Sequence, residues 1–177
     1  EAYWINNGAE LLLSIDWLSP IGIGDAYVYR VDLVNLRIDI EIPNRPEYRN
    51  LTTIGVTPNH DQLLYVIYAE QDRSVYLHNL TTKMETKTGL QFPPIDYHWL
   101  SDDEFFAVGY LKDKTAPYNT SVYAYKYNNS RDELTLLIDS PLNVHRFIKN
   151  AIQISPSGKH IAFIQAGDQA LFVVKCE

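Results

Sequence analysis

Histidine is the residue type in this sequence that is best suited to metal binding and to proton transfer near neutral pH. Histidines that bind a metal commonly lie four residues apart on a helix or accompany Cys-x-x-Cys pairs. The five histidines of this chain lack such spacing and are scattered over predicted turns, strands and loops, at His60, His78, His98, His145 and His160. We therefore predict neither a metal site nor a bound cofactor.

Two other motifs could indicate phosphate binding or a nucleophile. The segment Gly22-Ile23-Gly24 lacks the third glycine and the following helix that would hold a pyrophosphate. A serine nucleophile requires a Gly-x-Ser-x-Gly turn or His and Asp partners, and no serine here has those surroundings. We predict that this chain contains no catalytic residue.

The adjacent acids Asp102, Asp103 and Glu104 could suggest acid–base chemistry. Glycosidases use a pair of carboxylates separated across the sugar, whereas adjacent acids in a hairpin turn point into water. Alternating tyrosines could instead stack on bases or sugars, at Tyr118, Tyr123, Tyr125 and Tyr127. Such an alternation along one strand is more typical of packing between sheets.

Composition limits the class of protein. A chain of 177 residues with 46% apolar residues can bury a sizeable core, and one domain is expected. The net charge of -7 disfavours a phosphate-binding surface, so nucleic acid is not an expected partner. No apolar run approaches the roughly 20 residues that cross a bilayer, so we expect no membrane insertion by this chain.

An internal repeat organises the chain. Each unit has an apolar strand, a tight polar turn, a second apolar strand, a polar loop and a third strand rich in Tyr and Val. The four predicted hairpin turns are Asn6-Asn7-Gly8-Ala9-Glu10, Thr57-Pro58-Asn59-His60-Asp61-Gln62, Leu100-Ser101-Asp102-Asp103-Glu104 and Ser155-Pro156-Ser157-Gly158-Lys159-His160. Asn, Asp, Gly and Ser suit these turns because they tolerate positive φ or hydrogen-bond their own backbone.

The second strand of each unit is almost continuously apolar, which indicates that both of its faces are covered. The repeat recurs about every 43 to 55 residues, the length of a four-stranded propeller blade. We predict an all-β fold: a single β-propeller segment, 1–177, with about four blades of four antiparallel strands, at about 1–43, 50–91, 95–140 and 148–177. More polar outer strands are predicted at 37–42, 84–90 and 133–139. The fourth unit stops after its third strand, so we expect an arc of a larger propeller, with a closed four-bladed ring as the alternative.

Two segments resemble a known family. Ile154-Ser155-Pro156-Ser157-Gly158-Lys159-His160-Ile161-Ala162-Phe163 is similar to the "SPDGKxIAF" signature of WD40-like repeats in TolB-type propellers and in the propeller domains of prolyl-oligopeptidase-like proteins. Val75-Tyr76-Leu77-His78-Asn79-Leu80-Thr81-Thr82 resembles the "IYVxDLxTG" segment of the same repeat. The other units carry Asn7-Gly8, Asn59-His60 and Asp102-Asp103 where the family has Asp-Gly.

This resemblance implies a non-enzymatic propeller that binds a protein or peptide through the loops of one face. The candidate binding residues combine arginine, histidine and tyrosine, types that are common at interfaces: Arg45, Tyr48, Arg49, Tyr97, His145 and Arg146. The alternative is the propeller domain of a prolyl-oligopeptidase-like serine peptidase whose catalytic domain lies outside this chain. A third and weaker hypothesis is a propeller hydrolase or glycosidase with carboxylates on inner strands.

The sequence favours an extracytoplasmic location, whether periplasmic, cell-surface or secreted. It begins at Glu1 without a leader, which suggests a processed or partial chain, and the lone Cys176 fits any compartment. Four Asn-x-Ser/Thr triplets are possible N-glycosylation sites, at Asn50, Asn79, Asn119 and Asn128. The rest of a larger propeller or a second copy is a further expected partner.

Overall fold

The computed structural model describes residues 2–16, 26–43, 50–68, 73–112, 120–138, 142, 152–164 and 170–175. In these ranges the regular structure is β, apart from one 3-10 turn at Asn6–Gly8. No helix in the described part of the chain has the length and apolar character needed to span a membrane. The strands are β1 Ala2–Ile5, β2 Glu10–Asp16, β3 Ala26–Asp32, β4 Arg37–Ile42, β5 Asn50–Val56, β6 Gln62–Tyr68, β7 Arg73–Asn79, β8 Glu85–Lys87, β9 Pro94–Trp99, β10 Glu104–Lys112, β11 Thr120–Asn128, β12 Glu133–Leu136, β13 Ile152–Ile154, β14 His160–Ile164 and β15 Leu171–Lys175.

The described strands form four sheets, in which every strand pairs with its neighbour in sequence. Blade 1 contains β1–β4, blade 2 β5–β8, blade 3 β9–β12 and blade 4 β13–β15. All of the pairings are antiparallel. The predicted all-β fold, its four sheets and the three-stranded last unit are therefore confirmed.

The boundaries of three segments differ from the sequence-based expectation. Tyr97, which was predicted to lie in a binding loop, lies in a strand, since β9 extends from Pro94 to Trp99. The outer strands of blades 2 and 3 are shorter than expected, at Glu85–Lys87 and Glu133–Leu136. An edge strand has one paired side only, so fewer contacts hold its ends in register.

The chain divides into two compact units, Glu1–Leu90 and Gln91–Glu177, each of which holds two blades. In the first unit, a core joins the two blades through apolar side chains that include Ile5, Leu12 and Val28 of blade 1 and Leu63 and Tyr65 of blade 2. In the second unit, Phe106, Val108, Val122 and Ala124 of blade 3 pack with Ile161 and Phe163 of blade 4. Burial of such faces is the main stabilising term of the fold.

The first hairpin turn has the same hydrogen bonds in blades 2 and 4. The Thr57 N–H donates to the carbonyl of Gln62, and the Ser155 N–H donates to the carbonyl of His160. The residue three positions after each of these has a positive φ, 62° at His60 and 68° at Gly158. The structure thus confirms these predicted turns and explains why Gly suits the position.

A second repeated turn follows the third strand of blades 1, 2 and 3. In each blade the last residue of that strand accepts backbone N–H groups of the turn with its side-chain oxygen, an arrangement that replaces missing backbone bonds. The residue four positions later has a left-handed backbone. The accepting residues are Asp32, Asn79 and Asn128, and the left-handed ones are Leu36 at 52°, Lys83 at 62° and Asp132 at 54°.

Candidate functional site

The two ends of the blades differ in how the strands are connected. Short turns that are closed by internal hydrogen bonds join the first strand to the second and the third to the fourth; we call this the turn end. The other connections leave from the opposite ends of the strands, which we call the connection end. They include 17–25, 44–49, 113–119 and 143–150.

Most of the predicted binding residues lie outside the described residues. Five of them lie in the sequence between one blade and the next: Arg45, Tyr48, Arg49, His145 and Arg146. The described hairpin turns, in contrast, join strands within one blade. The structure therefore leaves their grouping as a prediction.

Tyr97 is the predicted binding residue that the structure describes. It lies in β9 and is half-buried. Its ring meets those of Trp99 and Phe105 edge-on, with centroids 6.0 and 6.1 Å apart. Edge-on pairs at such distances stabilise a packed core. Tyr97 thus contributes to the packing of blade 3, and its place is a strand instead of the predicted loop.

Two of the predicted glycosylation sites occupy the repeated turns at the turn end. The side-chain oxygen of Asn79 accepts the N–H groups of Thr81 and Thr82, at 3.0 and 2.7 Å. That of Asn128 accepts the Arg131 N–H at 3.0 Å and the Ser130 hydroxyl at 2.9 Å. Asn50 begins β5, and Asn119 lies outside the described residues. Both described side chains use their oxygen, which leaves the amide nitrogen as the atom that a sugar would modify.

The acidic turn and the tyrosine strand have different surroundings. Asp103 lies exposed at the turn end, where its carbonyl accepts the Asn129 N–H. Tyr123, Tyr125 and Tyr127 are at most 9% exposed, so their rings are packed inside the protein and cannot serve as a stacking surface. Within the described ranges, no group of three or more His, Cys, Asp or Glu side chains is arranged to hold a metal ion.

A buried charged cluster between blades 1 and 2 was not predicted from the sequence. Glu41, in β4 of blade 1, has a side chain that is only 2% exposed. Its Oε1 lies 2.7 Å from Nε2 of His78 in β7, and both of its oxygens lie 2.7 Å from Nζ of Lys83. Thus one carboxylate of blade 1 joins two cationic or polar groups of blade 2.

Arg30 extends this cluster across blade 1. Its Nη2 lies 2.5 Å from Oε2 of Glu10, and its Nη1 lies 3.7 Å from Oε2 of Glu41. The same Nη1 donates to the carbonyl of Leu80 in blade 2, at 3.1 Å. The hydrogen bond with Glu10 is the main cause that raises the pKa of Arg30, so the guanidinium stays charged.

The cluster holds Glu41 in its ionised form. Burial is the largest single influence and raises the pKa of Glu41, but the hydrogen bonds from His78 and Lys83 and their charges together lower it below its usual value. Such a cluster costs desolvation and stabilises only when every member is paired. A β-bulge in β4 explains how Glu41 becomes buried. Ile40 pairs with Tyr29 and Ile42 pairs with Val28, so Glu41 is the extra residue of the bulge. Two successive side chains, those of Glu41 and Ile42, are therefore both buried.

Comparison with known proteins gives the fold its name. No family model and no curated protein matches this sequence. TolB from Acinetobacter baumannii superimposes with a TM-score of 0.62 at 9% identity, over 99% of this chain and 40% of that one. The β-propeller domain of the Trilobed protease from Pyrococcus furiosus superimposes with a TM-score of 0.54 at 12% identity, over 88% of this chain and 44% of that one. The fold is a TolB-like β-propeller.

This propeller segment is short compared with the structures that it matches. A protein of Agrobacterium tumefaciens assigned as TolB matches with a TM-score of 0.59 at 15% identity, over 92% of this chain and 52% of that one. The chain thus spans about half or less of these proteins. At such identities the likeness concerns the fold.

Proposed function

We propose that this propeller segment is a non-enzymatic interaction module that binds a protein or peptide at the connection end of its blades. The observation that carries the proposal is the difference between the two ends. At the turn end, the described turns use their polar groups internally. The connections at the other end hold arginine and aromatic residues, whose side chains are frequent in binding hot spots.

The location that we propose is extracytoplasmic. Support comes from the likeness to TolB propellers and from the four Asn-x-Ser/Thr triplets. We propose that the completed assembly also needs further propeller blades, because the chain spans 40% of the length of TolB from Acinetobacter baumannii.

Peptide selection tests the proposal. Peptides are selected by display on the wild-type chain, and their affinity is then measured for a variant with Arg45, Tyr48 and Arg49 changed to Ala. We expect a loss of at least about tenfold, since Arg and Tyr are enriched among hot-spot residues, one of which costs about 2 kcal/mol or more when it is truncated. The matched control changes Arg37 and Arg131, exposed arginines near the turn end, to Ala. Equal affinity of the first variant and the wild type would refute the proposal.

A second candidate function is supported by other structural neighbours. A puromycin hydrolase and a prolyl endopeptidase both superimpose with a TM-score of 0.64, over 29% and 26% of their chains, at 9% and 12% identity. In this hypothesis the segment belongs to the propeller of a serine peptidase and controls access of the substrate. Sequencing the gene from its source tests it, because a catalytic domain with a Gly-x-Ser-x-Gly turn must then follow.

A further inference from the structure

Blade 1 has one covered face and one uncovered face. Its covered face, which we call the front, includes Leu12, Val28 and Ile42 and packs against blade 2. Its opposite face, the rear, includes two rows of paired residues: Trp4, Leu11, Val31 and Ile38 in one row, and Ala2, Leu13, Tyr29 and Ile40 in the next. These rows contain no charged residue.

The rear face of blade 1 exposes large apolar side chains to solvent. Trp4 is 59% exposed, Ile38 67% and Ile40 55%. Contiguous apolar surface of this kind marks a site of association, because single apolar residues are common on surfaces but whole rows are not.

In blade 4 the rear face is covered and the front face is uncovered, the reverse of blade 1. Its rear face, with Ile161 and Phe163, packs against blade 3. Its front face pairs Gln153, Ala162 and Val173 in one row and Ile164 and Leu171 in the next. Leu171 is 69% exposed and Val173 is 62% exposed.

The two described contacts between blades pair the same kinds of face. To compare the blades, we count residues from the first residue of the second strand. That strand begins at Glu10, Gln62, Glu104 and His160 in the four blades. Residues two and four places after the start belong to the front, and residues one and three places after it belong to the rear, because side chains alternate along a strand.

In each unit, the front of the earlier blade meets the rear of the later one. Leu12 of blade 1 shares a core with Leu63 and Tyr65 of blade 2. Phe106 and Val108 of blade 3 share a core with Ile161 and Phe163 of blade 4. A front therefore packs on a rear in both cases.

We propose that the rear face of blade 1 binds the front face of blade 4 in a second copy of this chain. The uncovered rear of blade 1 contains Leu11 and Leu13, and the uncovered front of blade 4 contains Ala162 and Ile164. The proposed contact would therefore pack a front on a rear, as the two internal contacts do. The two surfaces of such a contact differ, so it is heterologous and can join copies head to tail.

Light scattering after size-exclusion chromatography tests the proposal over a wide range of concentrations. The wild-type chain is expected at twice the single-chain mass or at a larger multiple. Ile38→Lys blocks the rear of blade 1, and Val173→Lys blocks the front of blade 4. Each variant is expected to reduce the oligomer to smaller species, while Val34→Lys, at a turn residue that is 74% exposed, leaves it unchanged.

Mixing the two blocked variants gives the decisive result. The rear of the Val173→Lys variant and the front of the Ile38→Lys variant are both intact, so the mixture is expected to form a heterodimer that neither variant forms alone. Far-ultraviolet circular dichroism checks that both variants are folded. A wild-type chain that stays at single-chain mass overturns the proposal, and so does a folded mixture without heterodimer. Peptide affinity at the connection end is measured separately, so either proposal can fail without the other.

Discussion

Nε2 of His78 and Oε1 of Glu41 lie 2.7 Å apart although the two residues are separated by 37 positions and belong to different blades. Both side chains are at most 3% exposed, so this contact joins blades 1 and 2 by a hydrogen bond that water hardly reaches. A buried carboxylate of this kind makes blade association depend on charge as well as on apolar contact.

Replacing Glu41 by Gln should destabilise the first unit by about 3 kcal/mol, because Arg30, His78 and Lys83 would lose the carboxylate that pairs with them. Urea unfolding followed by tryptophan fluorescence measures the change in free energy of unfolding. Asp39→Asn is the matched control in the same strand, since its ion pair with Arg37 is exposed and contributes less than about 1 kcal/mol. Similar losses in the two variants would contradict the role of the cluster.

The stability of the chain should fall in acid in a way that depends on Glu41. Its pKa is lower in the folded state than the ordinary 4.5, so the ionised carboxylate stabilises the fold above that pH. The stabilisation is lost as the pH falls through the folded-state pKa, because protonation removes the charge that pairs with Lys83 and leaves Arg30 paired with Glu10 alone. Unfolding free energies measured from neutral to acid pH should fall less steeply for Glu41→Gln than for the wild type.

Leu36→Gly should stabilise blade 1 by about 0.5 to 1 kcal/mol. Leu36 has a φ of 52° and its side chain is 87% exposed, so glycine removes a backbone penalty and sacrifices few contacts. Val34→Gly, in the same turn but without a positive φ, is expected to destabilise. Thermal and urea unfolding of the two variants measure both effects, and a less stable Leu36→Gly variant would contradict the argument.

Gly158→Ala should destabilise the second unit by about 1 to 3 kcal/mol. Gly158 has a φ of 68°, and a Cβ there would lie 2.7 Å from Cδ2 of His98. Gly8→Ala is the matched control, because its φ is 84° but no atom lies within 4 Å of the added Cβ. The double variant with His98→Ala should recover part of the loss if the contact with His98 contributes to it.

Tyr125→Phe should leave the stability unchanged or raise it by up to about 1 kcal/mol. The Tyr125 hydroxyl is buried, has no hydrogen-bond partner among the described residues, and has a pKa that burial raises above the ordinary value. Tyr127→Phe, in contrast, removes a hydrogen bond to Asp132 and should cost about 1 kcal/mol. Chemical unfolding of both variants measures the difference.

The sequence predicted the fold well where the information is local. The turn at Ser155 to His160 carries its own hydrogen-bond partners within six residues. The second strands of blades 2 and 3 are buried on both faces, as their apolar sequences predicted. The equally apolar second strands of blades 1 and 4 each have one uncovered face, so this prediction was wrong for them. Tyr97 was misplaced because Pro94 and the polar Asp96 and His98 resemble a loop, although all three lie in a strand.

The charged cluster could not be predicted, because it depends on which rows of two blades face each other. Glu41 and His78 alternate with apolar neighbours in their own strands and resemble ordinary surface residues. Their burial results from the packing of blade 1 on blade 2 and from the bulge beside Glu41, neither of which a single strand encodes.

Within each of the two units, the front-to-rear rule gives the pair of blades a polarity. Each blade has a front and a rear that bind different surfaces, as a monomer does in a directional polymer. A blade added at either end would therefore leave the existing contacts unchanged. Duplication of a gene segment that encodes one blade would therefore lengthen such a protein without redesign of its interior. The same polarity makes the junctions between blades natural points for circular permutation.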